Sequence, residues 1–305
     1  KYREFEGIRI QWDKAFWNFE HPETGPVSVD TYSIWNPLYH EEIATRLVKG
    51  ERVALYMMGN FGIGELRGKR GEKINDPIFK KIKRRDSKQS LAAFSNPDYI
   101  ADFIDFERLP EGLKHLQDLE RRRALYKGPV HIIFPIIPDN LPDLGAIRDE
   151  KSASFFWING HWGYEQLAEK VRAKVKGVIL GGGSLNVHGE QPSTATVDLR
   201  LKMKQNPDWL KNIDFVIFDE LSEYAAIGRS HTQISFMHDP PRIVRKGSQS
   251  LEKFFESTGY KVVYDESVKE ASSTTPYDKA NNLVIDQKVE GLLAQIARFQ
   301  LEMEV

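Results

Sequence analysis

The sequence predicts a mixed α/β domain. Two observations carry that prediction. Short apolar runs such as residues 53–58 (VALYMM) and 128–137 (GPVHIIFPII) alternate with stretches of helical periodicity such as 163–175. Gly and Pro mark the boundaries between them, and the chain carries no internal repeat or low-complexity tract.

Residues 1–48 are rich in aromatics, among them Phe16, Trp17, Phe19, Tyr32, Trp35 and Tyr39, with Pro22, Pro26 and Pro37 between them. A disordered tail has few aromatics, so this reads as an irregular arm packed on the rest of the chain. Within it, 40–48 has the pattern of a short helix, with Ile43, Leu47 and Val48 on one side. Residues 53–58 then read as a buried strand entering a glycine-rich turn over 59–64. A basic stretch follows at 80–88 (KKIKRRDSK), then a strand at 91–94, a helical segment over 97–106 and an amphipathic helix over 112–125.

The run 128–137 is bounded by Gly and Pro and reads as a strand, 138–149 as a loop, and 154–158 as another strand. A helix over 163–175 leads to a strand at 177–180 that ends in the turn Gly181-Gly182-Gly183-Ser184. Strands at 215–218 and 242–244 complete the core. Beyond Gly247 the pattern gives a helix at 251–257, a strand at 260–264 and a linker at 272–276. A last helix places Val289, Leu292, Leu293, Ile296 and Phe299 on one face, to dock on the chain's own core or on a second copy. The expected organisation is an arm (1–48), a core domain (49–247) and a C-terminal extension (248–305).

Composition narrows the chemistry. With 305 residues, 40% apolar and 29% charged, the chain is long enough for one large domain with appendages. No run of 18 apolar residues is present and the first residues lack a leader's apolar stretch, so a cytoplasmic protein with no membrane span is expected. The absence of cysteine excludes disulfides, thiolate zinc sites and a cysteine nucleophile. Lys plus Arg number 43 against 44 Asp plus Glu, so any polyanion binding must come from local basic clusters.

Three short constellations carry chemistry. Lys83 and Arg85, at i and i+2, suit a clamp on phosphate oxygens, or else a solvated basic face. The segment 181–186 (GGGSLN) follows a strand; its glycines let backbone N–H groups approach a ligand while Ser184 and Asn186 supply compact polar groups, or else it is a plain tight turn. It is neither a Walker motif nor a dinucleotide fingerprint. In 242–247 (RIVRKG), a cation at a strand end followed by Gly suits an anion.

Taken in order, these pieces resemble the YrdC-like, or threonylcarbamoyl-adenylate synthase, family. Members share a Lys-x-Arg motif before a Leu, matched by Lys83, Arg85 and Leu91. A Gly-Pro-Leu/Val-Thr element followed by apolar residues and Pro is matched by Gly128-Pro129-Val130-His131-Ile132-Ile133-Phe134-Pro135. A Ser-Ala-Asn-x-Ser-Gly element is matched by Ser184-Leu185-Asn186-Val187-His188-Gly189. A Ser/Thr strand is matched by Thr232-Gln233-Ile234, and Ile-Leu-Arg-x-Gly by Ile243-Val244-Arg245-Lys246-Gly247. The resemblance spans about two hundred residues.

It implies a twisted mixed sheet with flanking helices around a concave cationic cavity that takes ATP with Mg²⁺, bicarbonate and L-threonine. The amine captures bicarbonate as a carbamate, which attacks the α-phosphate and releases pyrophosphate; the product serves tRNA threonylcarbamoyladenosine formation. By carry-over, Lys83, Arg85, Ser184, Asn186, Thr232 and Arg245 hold the nucleotide and its phosphates. The sequence has no dedicated metal cage, so Mg²⁺ would come with the ATP. The acceptor pocket departs from the pattern. Tyr56-Met57-Met58 replaces a Pro-Thr-Glu portion ahead of Gly62-Ile63-Gly64, Trp157 replaces a strand arginine, and Asp86 replaces a proline. Met58, Gly62 and Trp157 are therefore the expected acceptor-pocket residues, and an acceptor other than threonine is expected. His131 stands where the family has Thr and is the candidate general base; His161, His188 and His231 lie near other matched segments. Two alternatives stay open: a component that uses carbamoyl phosphate and hands its product to a separate transferase, and a nucleotide- or double-stranded-RNA-binding protein using 80–88 and Arg121-Arg122-Arg123. A homodimer is compatible with either.

Overall fold

The structure, a computed structural model, describes residues 1–67, 82, 92–137, 152–187, 190–263, 268 and 279–304. Lys83, Arg85 and His188, most of the basic stretch 80–88, the loop 138–149 and the linker 272–276 lie outside the described residues.

An N-terminal hairpin, β1 (Tyr2–Phe5) and β2 (Ile8–Gln11), stands apart from an eleven-stranded mixed sheet. In chain order the strands of that sheet are β3 (Ala15–His21), β4 (Gly25–Ser33), β5 (Val53–Met57), β6 (Asn60–Arg67), β7 (Ala92–Phe94), β8 (Val130–Pro135), β9 (Ser152–Trp157), β10 (Ile179–Ser184), β11 (Phe215–Phe218), β12 (Thr232–Ser235) and β13 (Arg242–Arg245). Their spatial order is β13-β12-β8-β9-β7-β10-β6-β5-β11-β4-β3. The pairs β4–β11, β11–β5, β7–β9 and β8–β12 are parallel and the remainder antiparallel. Every residue of β5, β8, β9 and β11 is buried, which is why β5 and β11 read in the sequence as unbroken apolar runs and β8 and β9 as apolar runs interrupted only by His131, Ser152 and Ser154.

Helices cover the sheet. They are α1 (His40–Val48), α2 (Leu119–Ala124), α3 (Trp162–Lys174), α4 (Thr196–Gln205), α5 (Pro207–Asn212), α6 (Glu220–Tyr224), α7 (Leu251–Thr258) and α8 (Lys279–Met303). Among the described residues no helix is long and apolar enough to cross a membrane. The stripe on α8 docks on the chain's own core: Ile285, Val289, Leu292, Ile296 and Phe299 are buried there. Phe299 meets Phe5, Trp35 and Trp162 edge-on or tilted at 5.0, 5.1 and 6.3 Å.

Five expectations change. The N-terminal arm is not irregular. It forms four strands, and β3 and β4 extend the main sheet, because GPVSVDTYS alternates β-branched and polar residues with period two and its proline stands at the strand start. The glycine-rich turn over 59–64 shrinks to Met58–Gly59; Asn60 onward is strand β6. Likewise Gly181–Ser184 is the body of β10, paired with both β6 and β7. The segment 112–125 is not one helix. A 3-10 turn over Glu111–Gln117 stops at Asp118, whose extended backbone and carboxylate, accepting from Arg121 N–H at 3.0 Å, start α2 afresh. At 260–264 only a single bridge, Val263 to Arg242, is present among the described residues.

Candidate active site

Two adjoining cavities, a front one and a back one, lie along the middle of the sheet and share Leu55, Phe94 and Leu180. The front one, about 170 Å³, is polar, and Asn60, His131, Ser154, Ser184, Gln233 and Arg245 are among its lining. Its floor is made by Gly64, Gly182 and Gly183, where β6 and β10 run side by side. Glycine is required there: a Cβ on Gly182 would stand 2.2 Å from the Ile63 carbonyl oxygen. So the glycines do their work in a strand pair, stripping side chains from the sheet where a ligand would lie.

Two buried histidines span the cavity wall. On β8, His131 places Nε2 3.1 Å from Nδ1 of His231 and Nδ1 3.3 Å from the Ser154 hydroxyl of neighbouring β9. His231 places Nε2 2.7 Å from the carbonyl oxygen of Met57, at the end of β5. Phe156 stacks on His231 at 4.1 Å and on His131 at 4.9 Å, which fixes both ring planes. Arg245 donates from Nε and Nη2 to the His231 carbonyl at 3.1 and 2.9 Å, tying β13 to the same corner. Burial pushes the His231 imidazole down to about 4, and the Arg245 charge adds to that; the bond to Met57 only partly opposes it.

Of the expected site residues, the structure brings His131, Ser184 and Arg245 together at the front cavity. Lys83 and Arg85 fall outside the described residues. Thr232 and Asn186 do not line the cavity. Buried Thr232 donates to the Gln249 carbonyl at 2.7 Å and accepts from Gln249 N–H at 3.1 Å, while its neighbour Gln233 faces the cavity. Asn186 accepts from Ser184 at 2.7 Å and donates to the carbonyls of Val187 and Glu190, so it shapes the turn that presents Ser184.

The expected acceptor pocket shifts as well. Met58 is buried outside the cavity lining, and Met57 occupies the cavity instead, its methyl lying over the Gly62 backbone. Trp157 is absent from the front cavity's lining. It lines the back cavity, about 190 Å³ and mostly apolar, with Phe94, Tyr164 and Leu167. Its indole N–H is buried there without a partner.

Sequence reasoning passed over Ser154, Gln233, Ser230 and Asn60. One signal was available for the first: Ser152 and Ser154 recur at every second position of an otherwise apolar strand, as polar groups aimed at one face do. His161 is removed from the site altogether. It is fully buried, bonded to Asp219 at 2.8 Å and stacked on Trp35 at 4.7 Å. Of the Arg121-Arg122-Arg123 cluster only Arg122 is buried, donating to the carbonyls of Pro97 and Leu116; half-buried Arg123 pairs with Asp98 and Arg121 is exposed.

No protein-family model matches the sequence, and neither does any curated protein. Solved structures do. A doubly substituted Sua5 from P. abyssi superposes with a TM-score of 0.59 at 16% identity, covering 89% of this chain and 76% of that one. P. abyssi Sua5 complexed with L-threonine gives 0.56 at 17%, covering 88% and 75%. E. coli YciO gives 0.53 at 12%, covering 72% and 94%.

The chain has the YrdC-like fold.

In this YrdC-like chain the alignment with Sua5 reaches well beyond 49–247, in keeping with an arm and a C-terminal helix that pack into the same body. The likeness is one of fold.

Proposed function

We propose that this YrdC-like chain is an ATP-dependent enzyme that joins a carbamoylated amine to AMP, with an acceptor that differs from threonine. What supports the reading is the front cavity itself: a glycine-floored polar pocket with Ser184 at the end of β10 and Arg245 at the end of β13, in the fold that in P. abyssi Sua5 is complexed with L-threonine. A hydroxyl and a guanidinium at strand ends are suited to phosphate oxygens, Arg through its fork of donors. Lys83 and Arg85 would add cations to the same phosphates. Mg²⁺ would arrive on the nucleotide; among the described residues no group of three His, Asp or Glu side chains is placed to hold a metal. The acceptor side is where this chain departs from its relatives. Met57 and His131 both line the cavity, which supports an amine with an apolar body over threonine's hydroxyl-bearing side chain.

The test is calorimetry with ATP and Mg²⁺. Wild type should bind, and Arg245→Met and the Lys83→Ala/Arg85→Ala pair should each bind at least tenfold more weakly, since each lost charge-assisted bond is worth about 1.5–3 kcal/mol. Pyrophosphate release with bicarbonate across an amino-acid and amine panel then identifies the acceptor. No ATP binding in folded wild type would refute the reading.

A further inference from the structure

With both rings neutral, the hydrogen bonds at the cavity wall have one proton order. The Met57 carbonyl only accepts, so His231 Nε2 carries a hydrogen and donates to it. A neutral His231 then has a bare Nδ1, so the His131 Nε2 facing it must be the donor. With its hydrogen on Nε2, neutral His131 has a bare Nδ1, so the Ser154 hydroxyl donates to it. The order runs Ser154 O–H to His131, His131 N–H to His231, His231 N–H to the Met57 carbonyl. It has a definite polarity: the Ser154 oxygen turns its lone pairs to the cavity and offers a ligand an acceptor.

We infer that Ser154 receives the N–H of the acceptor amine and that His131 is the base that takes its proton through the Ser154 hydroxyl, with His231 as a positioning residue. This deepens the function proposed above and rests on it. The step balances. The ammonium gives one proton to Ser154 while Ser154 gives its own to His131 Nδ1, leaving a neutral amine and an imidazolium. The amine nitrogen bonds to the carbon of bicarbonate and the C–OH bond breaks. The departing hydroxide leaves as water with the second N–H proton, and a carbamate remains.

Within the relay His131 is the group that takes the proton. His231 stays uncharged because burial disfavours its cation. The one charged side chain facing the pair among the described residues is Arg245, from β13, whose guanidinium is held on the His231 carbonyl.

Two measurements test this separately from ATP binding. The first is ¹⁵N NMR of the histidine rings in the wild-type chain. Both His131 and His231 should be neutral Nε2–H tautomers at pH 7.5, with His231 unprotonated down to about pH 5. An Nδ1–H on either ring overturns the relay, whether or not the protein turns over. The second uses pyrophosphate release with ATP, bicarbonate and a mixture of the standard amino acids. Ser154→Ala and His131→Asn should bind ATP as wild type does yet release pyrophosphate ~100-fold more slowly, the usual range for loss of a general base. Wild-type rate should level off with rising pH, whereas His131→Asn should keep rising tenfold per pH unit toward the amine's own pKa. An unchanged pH profile in His131→Asn, with ATP binding intact, overturns the relay and leaves the nucleotide reading standing. Failure of wild type to bind ATP removes that reading, and the ring tautomers still decide the proton order.

Discussion

Residue by residue, the sequence identified the strands that build the site more reliably than the face each side chain takes. In a strand, a displacement by one position moves a side chain to the opposite face. Thr232 and Gln233 illustrate this: the motif pointed to the first and the cavity holds the second. Met58 and Met57 exchange in the same way. His131 was legible because an imidazole stands at a matched position in a strand, and Ser154 was not, because no motif marks it. Glycines can be ranked by what a side chain would strike. At Gly182 and Gly247 a Cβ would meet backbone, at 2.2 Å from the Ile63 oxygen and 2.2 Å from the His231 carbonyl carbon. At Gly62 its nearest neighbour is the mobile end of Met57 at 2.1 Å, with Gly183 oxygen at 3.2 Å. Urea unfolding should therefore show Gly182→Ala and Gly247→Ala each destabilised by about 2–3 kcal/mol and Gly62→Ala by about 1 kcal/mol. The Gly247 variant should also disturb the histidine pair, because that glycine packs on the backbone carrying His231. Equal losses at the three sites would show that backbone contact is not what distinguishes them.

Among the elements, the doubly buried strands β5, β8, β9 and β11 were legible as largely apolar runs, and α8 by its stripe. The N-terminal strands were not, because scattered aromatics and prolines mask a period-two pattern until its partners are known. The glycine-rich parts of β6 and β10 read as turns, since nothing local tells a bare strand from a loop; only their pairing across the sheet does. The length of α8 is held in place at its far end by Phe299, fully buried among Phe5, Trp35 and Trp162. Ion pairs of Arg3 with Glu302 and Arg298 with Glu6 sit at the surface beside it. Phe299→Ala should cost about 3–4 kcal/mol in urea unfolding, the range for emptying a core aromatic site. Arg298→Ala should change stability by less than about 1 kcal/mol, as exposed pairs do. ATP affinity of the folded Phe299→Ala chain should match wild type, since α8 contributes nothing to the front cavity lining.

Across the whole molecule, two enclosed groups bend stability with pH in opposite senses. His231 has a folded pKa pushed down to about 4, so the unfolded chain takes up its proton first and stability falls as pH drops from about 6.5 toward 4. Glu220, at the start of α6, accepts from Ser33 at 2.7 Å and from Gln11 N–H at 2.9 Å, yet its enclosure outweighs both bonds and pushes its carboxyl up to about 7. A raised carboxyl favours folding at low pH, and that contribution is lost as pH climbs from about 4.5 through 7. Glu220→Gln, which keeps the shape and removes the charge, should gain about 2–3 kcal/mol on wild type between pH 4.5 and pH 8 in urea midpoints. A difference independent of pH would mean that Glu220 ionises as freely folded as unfolded. Neither group announces itself in composition, because both shifts arise from neighbours far away in the chain. The two cavities raise a different point about the molecule as a whole. Leu55, Phe94 and Leu180 contribute to the walls of both. At that spot a polar chamber and a greasy one adjoin, parted by side chains that rise from the sheet between them. Leu180 is the stopper: trimming that side chain would merge the two chambers into one.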